Sequence, residues 1–331
     1  MKEYYSDVLV SIVIPVFNGE RYIEECLLSV LSQKHHFLEV IVVDDGSVDA
    51  TKQIVLKIAA ADSRVRYFYQ ENSGNSSAPR NFGFQYCSGE YVNFFDADDV
   101  MLPCKISNQL AVLIHHQDVS AVCCDYVNFS VKGDFSFTHF SECTNIQGAI
   151  KLKNICAECN AFIFENNDLL HIICTENFTI NSSTLFRKKF LKATPFSTEL
   201  WGSEDWLLHF ELFSRFYVGV VNQVGFRRRL HDNNKTNNIE RILFYKAKSR
   251  EIASSFVNDD VLKIKLNNFS SSYYALLSKE IATQSFFMAF FYLLKSYKIG
   301  NNSLFFYVKL YVFILIKRLY NFKKYYVNKN Y

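Results

Sequence analysis

Four short β-favouring runs separated by helix-period stretches constrain the fold of this chain most. Val10-Ser11-Ile12-Val13-Ile14-Pro15-Val16 ends at Phe17 and Asn18, and a helical pattern of Ile23, Cys26, Leu27, Val30 and Leu31 follows. Glu39-Val40-Ile41-Val42-Val43 runs into Asp44-Asp45-Gly46-Ser47-Val48-Asp49-Ala50-Thr51, and a second helix carries Ile54, Ile58 and Ala61. Val65-Arg66-Tyr67-Phe68-Tyr69 opens into the polar loop from Glu71 to Asn81, and the helix after it ends near Gly89. Tyr91-Val92-Asn93-Phe94-Phe95 is the fourth run. Such alternation predicts a parallel sheet whose ligands bind at the carboxyl ends of the strands, and all four polar segments lie there.

The fourth run ends in Asp96-Ala97-Asp98-Asp99. Carboxylates this close repel and raise one another's pKa unless a cation or hydrogen bonds compensate. A hard cation does so with oxygen ligands, and Mg²⁺ commonly takes one or two carboxylates plus substrate phosphates. The cluster therefore reads as a metal-diphosphate site; a solvated acidic turn capping a helix at Leu102 is the competing reading.

Together these segments resemble the large family of inverting, nucleotide-sugar-dependent glycosyltransferases with the GT-A fold (family 2). The resemblance rests on Pro15-Val16-Phe17-Asn18, Val42 to Asp49, Arg80-Asn81-Phe82-Gly83 and Gly89-Glu90-Tyr91 followed by the acid cluster. Further on it includes Trp201-Gly202-Ser203-Glu204-Asp205-Trp206 and Arg229-Leu230-His231. The stretch between Gly74 and Arg80 is one residue longer than the usual pattern. The resemblance implies an α/β, GT-A (Rossmann-like) catalytic domain over residues 1–230, with a mostly parallel central sheet. Residues 231–331 are left as a helical C-terminal extension.

The same resemblance implies site roles. Asp98 binds Mg²⁺ or Mn²⁺, and Asp96 assists through the metal or the ribose hydroxyls, with Ala97 between them in the nucleotide-binding set. Asp45 accepts a hydrogen bond from the base, and Pro15, Phe17 and Asn18 frame base and ribose. Arg80 offers a guanidinium to pyrophosphate or base, and His231 contacts a phosphate or the metal. Attack on the anomeric carbon needs a carboxylate to take the acceptor's proton. Asp205 is that base, with Glu204 supporting it. One base and one metal suffice for a single inverting displacement, whereas double displacement would add a carboxylate nucleophile. Locally, Pro15 to Asn18 also reads as a strand-to-helix turn, Arg80 as a surface arginine, and Glu204-Asp205 as an acidic helix start. Asp99 reads equally as a helix cap or as support for its neighbours.

Composition agrees with one α/β core plus an appendage, at 331 residues and 49% hydrophobic content. No Asp or Glu follows Glu280, whereas eight Lys or Arg do, so the last 51 residues carry +8. Before them 33 acids outnumber 28 basic residues, and a body at −5 argues against a nucleic-acid substrate. Nine scattered cysteines with no secretory signal before the first strand predict reduced thiols and a cytoplasmic location. Cys156 and Cys159 lack a second thiol pair for zinc and read as structural.

The tail from Phe286 is aromatic and basic. Its apolar run from Leu304 to Ile316, interrupted by Lys309, is shorter than the ~20 residues of a spanning helix. Residues 286–331 read as a helix at the cytoplasmic face of the inner membrane, or as a helix packed on the core. Membrane contact suits a lipid-linked saccharide acceptor in assembly of O-antigen or capsule, with a UDP-sugar donating a hexosyl or N-acetylhexosaminyl group. Two rival classes share some of these features. A nucleotidyltransferase would use metal and nucleotide but not the Glu204-Asp205 base. A non-catalytic membrane-associated assembly partner would keep the fold without turnover.

Overall fold

A computed structural model describes residues 7–153, 155, 156, 160–165, 168–232, 238–282, 284–300, 307 and 309–316. The chain divides into two compact units, Met1–Asp232 and Asn233–Tyr331.

In the first unit the four β-favouring runs form β1 (Val10–Val16), β2 (Leu38–Asp45), β3 (Val65–Gln70) and β4 (Tyr91–Phe94). Between them lie α1 (Ile23–Leu31), α2 (Thr51–Ala61) and α3 (Ser77–Gln85). The helical period is reflected in burial: α1 turns Ile23, Cys26, Leu27 and Val30 inward. β1 pairs in parallel with both β2 and β4, and β2 with β3. The register sets Val16 beside Asp44 and Asp45 beside Gln70, so the carboxyl ends of these strands finish along one edge.

The chain continues through β5 (Val100–Met101), α4 (Lys105–His115), β6 (Val119–Ser130) and β7 (Gly133–Thr138). α5 (His139–Glu142), α6 (Thr144–Leu152), β8 (Phe162–Phe164), α7 (Leu170–Thr175) and β9 (Thr184–Arg187) follow. α8 (Glu204–Phe213) and β10 (Tyr217–Arg229) complete the unit. The sheet order is β3-β2-β1-β4-β9-β6-β10-β5, with β7 on β6 and β8 on β10. β9 is antiparallel to both β4 and β6, whereas β6 and β10 are parallel. Leu102 does not begin a helix: Val100 and Met101 pair antiparallel with β10, and α4 starts three residues later.

Two details fix what stands at the carboxyl edge. Gly83 lets α3 lie close on the sheet, because a Cβ there would sit 2.6 Å from Val13 Cγ1 and 3.0 Å from Val43 Cγ2. That approach brings Arg80, one turn earlier, into the interior. Behind the acid turn, Asn93 Nδ2 donates to the Thr184 carbonyl at 2.7 Å, and Lys105 Nζ donates to Asn93 Oδ1 at 3.2 Å. Burial brings the Lys105 ammonium down to about 8. This polar link ties β4 to β9 and α4, under the strand that ends in the acids. The eight cysteines among the described residues are unbridged. Cys156 lies 3.4 Å from His116 Nε2, and Cys159 lies outside the described residues.

The second unit is helical: α9 (Ile239–Phe256), α10 (Asp260–Ile281) and α11 (Phe286–Ile299). Asn238, Asp259 and Ser285 each accept a backbone N–H in the first turn, the signature of helix N-caps. Leu243, Tyr274, Leu277 and Leu293 share a core with Tyr307, Leu310 and Ile314, so one face of helical residues 309–316 is packed within this unit. α11 leaves Phe287, Phe291 and Leu294 exposed on a shared face at helical spacing. No helix among the described residues is long and apolar enough to cross a membrane. Phe306, Lys317, Arg318, Lys323 and Lys324 of the basic aromatic tail lie outside the described residues.

Candidate active site

At the end of β1, Asn18 adopts φ 49°, a left-handed turn that Asn tolerates. Its N–H donates to Ser47 Oγ at 2.8 Å, and its Oδ1 accepts from the Val48 N–H at 2.9 Å. The two loops leaving β1 and β2 are thereby joined, with Phe17 exposed above them. Asp44 is buried and accepts from the Ser47 N–H at 2.8 Å and from the Tyr67 hydroxyl at 2.7 Å. Asp45 accepts from Gln70 Nε2 at 2.6 Å, from the Ser73 N–H at 3.1 Å and, through Oδ2, from the Ser73 hydroxyl at 3.0 Å. Its carboxylate is thus held in one orientation at the strand end.

The acid turn is braced on two sides. The Asp96 N–H donates to Ser182 Oγ at 3.1 Å. Arg229, lying over the rings of Tyr22 and Phe129, donates its N–H to Asp99 Oδ1 at 3.1 Å and its Nε–H to the Asp98 carbonyl at 2.8 Å. A third tie runs from Arg229 to Glu25 on α1. Burial, then the neighbouring Asp98 and Asp96 carboxylates, pushes the Asp99 carboxyl well above the usual range. Asp99 is the most buried of the three, at 2% exposure. Asp98 and Asp96 are more open, with side-chain exposures of 28% and 37%.

His231 Nε2 lies 2.9 Å from Asp98 Oδ2, and its ring sits 4.9 Å from that of Tyr22. The Asp98 and Asp96 carboxylates at the strand edge are the oxygen donors that suit Mg²⁺ or Mn²⁺. Among the described residues no group of three His, Cys, Asp or Glu converges to hold a metal. A cation here would complete its shell with water and substrate phosphate, which is how Mg²⁺ is commonly bound. The donor set fits the group in that sense.

Arg80 is 5% exposed and points into the protein. Its Nη2 donates to Asp96 Oδ1 at 2.6 Å and its Nη1 to Glu204 Oε1 at 2.8 Å. Glu204 also accepts from the Ser76 hydroxyl at 2.9 Å. Asp205 is the next residue, at the head of α8, after Ser203 in the left-handed region (φ 62°). Asp205 Oδ1 accepts the Trp206 N–H at 2.7 Å. Burial, then the charge of Glu204, pushes the Asp205 carboxyl up to about 6. Within α8, burial lowers the pKa of His209 to about 4, so it is neutral at pH 7. Its Nδ1–H donates to the Asp205 carbonyl at 2.7 Å, and Thr184 Oγ1 lies 2.8 Å from its other nitrogen.

Pro15, Phe17, Asn18, Asp45, Asp96, Ala97, Asp98 and His231 thus stand at or beside the exits of β1, β2, β4 and β10. Arg80 connects Asp96 to the Glu204-Asp205 pair. Sequence reasoning missed Gln70, Ser73, Ser76 and Ser182, which orient the acids. Only Gln70 leaves a readable signal, since the register of β3 sets it beside Asp45.

A family model described as Glycosyl transferase family 2 matches residues 11–193. The glycosyltransferase GlyG of Streptococcus pneumoniae is 34% identical over 130 residues, 39% of this chain and 43% of GlyG. An uncharacterized glycosyltransferase of Rickettsia bellii is 28% identical over 239 residues, 71% of this chain and 31% of that protein. The chain spans less than half the length of either relative. Among solved structures, S. aureus TarS (residues 1–349, with UDP-GlcNAc) superposes with a TM-score of 0.60 at 20% identity, covering 80% of this chain and 71% of that one. The mannosyltransferase PcManGT of Pyrobaculum calidifontis, in complex with GDP-Man and Mn²⁺, gives 0.55 at 15% identity over 94% and 87% of the two chains. These likenesses are to GT-A folds.

Proposed function

The chain belongs to glycosyl transferase family 2, and on that premise we propose that it moves a sugar from a nucleoside-diphosphate sugar to an acceptor hydroxyl by single displacement with inversion. The observation carrying this reading is that one arginine joins Asp96 of the acid turn to Glu204, the residue directly before the carboxylate read as the base, Asp205. Pro15, Phe17 and Asn18 frame base and ribose, and Asp45, oriented by Gln70 and Ser73, accepts from the base. Asp98 with His231, aided by Asp96 and the Ala97 backbone between them, holds the diphosphate end. Mg²⁺ or Mn²⁺ bound there would neutralise charge on the departing diphosphate. Asp205 takes the proton from the acceptor hydroxyl, and burial keeps its pKa near the range where a carboxylate is an effective base.

The donor reading follows the solved neighbours, one bound to UDP-GlcNAc and one to GDP-Man. We take UDP-sugars first, with hexosyl or N-acetylhexosaminyl groups. A thermal-shift panel of UDP- and GDP-sugars with Mn²⁺ tests it: a ligand at 100 times its Kd should add about 2.7 kcal/mol of stability. Flat melting curves with every nucleotide would remove the donor reading.

The acceptor is taken to be a saccharide or lipid-linked saccharide of surface polysaccharide, met at the cytoplasmic face of the inner membrane. Residues 286–331 supply the contact: the +8 charge of the last 51 residues and the outward Phe287, Phe291 and Leu294 of α11 suit an anionic surface. Binding to phosphatidylglycerol vesicles should be strong at low salt. It should weaken as salt rises, and weaken again when Phe287, Phe291 and Leu294 are changed to serine. No binding at low salt would reduce α11 to a structural helix.

A further inference from the structure

We infer that Arg80 is a positioning residue: its guanidinium bridges Asp96 and Glu204 and thereby fixes both the place and the charge environment of Asp205. The inference rests on the reading of Asp205 as the base. It differs from a role for Arg80 on the donor, because both of its terminal nitrogens are turned to protein carboxylates, 2.6 Å and 2.8 Å away.

Several contacts hold the bridge in place. The guanidinium carbon lies 5.4 Å from the Phe196 ring centroid. Phe196 is itself held by the neighbouring Asn81, whose Nδ2 donates to the Phe196 carbonyl at 2.8 Å and whose Oδ1 accepts the Phe196 N–H at 2.9 Å. Arg80 at 5% exposure and Glu204 at 8% form a buried pair, and removing one partner leaves the other charge uncompensated. The planar fork is what permits two separate carboxylates to be gripped at once; lysine offers a single point charge.

The consequence reaches Asp205 through its neighbour. Besides burial, the groups acting on the Asp205 carboxyl are Glu204 on α8, the Trp206 N–H, Arg80 on α3 and Asp96 on the acid turn, while neutral His209, one turn along α8, bonds the Asp205 backbone carbonyl. Glu204 and Asp96 oppose ionisation of Asp205, while Arg80 favours it. Arg80 and Glu204 therefore pull Asp205 in opposite directions, a signature that a purely structural arginine would not give.

The test needs no substrate. Protein carrying ¹³C-carboxyl aspartate is titrated by NMR, with the Asp205 signal assigned by its absence in Asp205→Asn. The wild-type midpoint is expected at about 6. Arg80→Met should move it up, and Glu204→Gln down, each by on the order of one pH unit. The double variant should return close to wild type. Arg80→Lys, which keeps the charge, should leave the midpoint near wild type while lowering transfer about tenfold through lost alignment. Equal-direction shifts, or none, would overturn the inference. Should Arg80→Met fail to fold, Arg80→Gln takes its place, and a midpoint that stays put or moves down there overturns the inference. The base reading fails separately, if Asp205→Asn transfers sugar normally.

Discussion

Asp205→Asn is expected to lower sugar transfer by roughly 10² or more while leaving nucleotide affinity near wild type, the usual consequence of deleting a positioned base. Asparagine is isosteric and still accepts the Trp206 N–H, so α8 should keep its start. On the donor side, Asp45 is held by Gln70 and Ser73, and Asp98 Oδ2 faces His231 Nε2 at 2.9 Å. The pH dependence gives a second signature. A base must be ionised, and with its pKa raised to about 6, Asp205 is protonated and inactive below that pH. Wild-type transfer should fall about tenfold per pH unit below 6, and the residual activity of the variant should lose that limb. Steady-state rates from pH 5 to 8, with nucleotide affinity from calorimetry, check both statements. Near-normal transfer by the variant would move the base to Glu204 or elsewhere.

Asp98→Asn should abolish the dependence of nucleotide binding on Mn²⁺ and lower turnover by at least 10². In the wild type, EDTA should weaken binding of a nucleoside diphosphate; in the variant, EDTA should change little. The fold should survive. Asp98 and Asp96 raise the pKa of the buried Asp99, so neutralising Asp98 removes one repulsion from the turn. The melting temperature without ligand should therefore hold or rise. Calorimetry with and without EDTA, together with a thermal melt, checks this. Wild-type affinity that ignores EDTA would reject the metal role.

The strands were the legible part. β1 to β4 carry their own hydrophobic signal, and in a parallel α/β unit the chemistry falls at the strand exits, so Asp45 and Asp98 could be placed on one edge from local pattern. The second half of the sheet was harder. β9 is four residues long and lies between β4 and β6, and the place of such a strand is set by pairing, not by its sequence. Arg80 shows the same limit at the site. Its sequence neighbourhood suggests a donor-facing or surface arginine, yet its partner Glu204 lies 124 positions away and decides its direction. The close approach that draws it inward depends on Gly83 meeting Val13 and Val43, a contact that sequence does not display. In the tail, hydrophobicity was plain, but Leu310 and Ile314 serve a core within the helical unit while Phe287 and Phe291 face outward.

The site proposed here breaks the bond between the anomeric carbon and the diphosphate, and that can be observed directly. Protein, Mn²⁺ and the nucleotide sugar that stabilises it most are incubated in ¹⁸O-labelled water, which stands in for the acceptor hydroxyl, and the products are followed by phosphorus NMR and mass spectrometry. The predicted result is nucleoside diphosphate with unlabelled phosphorus, the label in the free sugar, and loss of turnover in both Asp98→Asn and Asp205→Asn. Nucleoside monophosphate with label on phosphorus, or equal turnover by those variants, would contradict glycosyl transfer at this site.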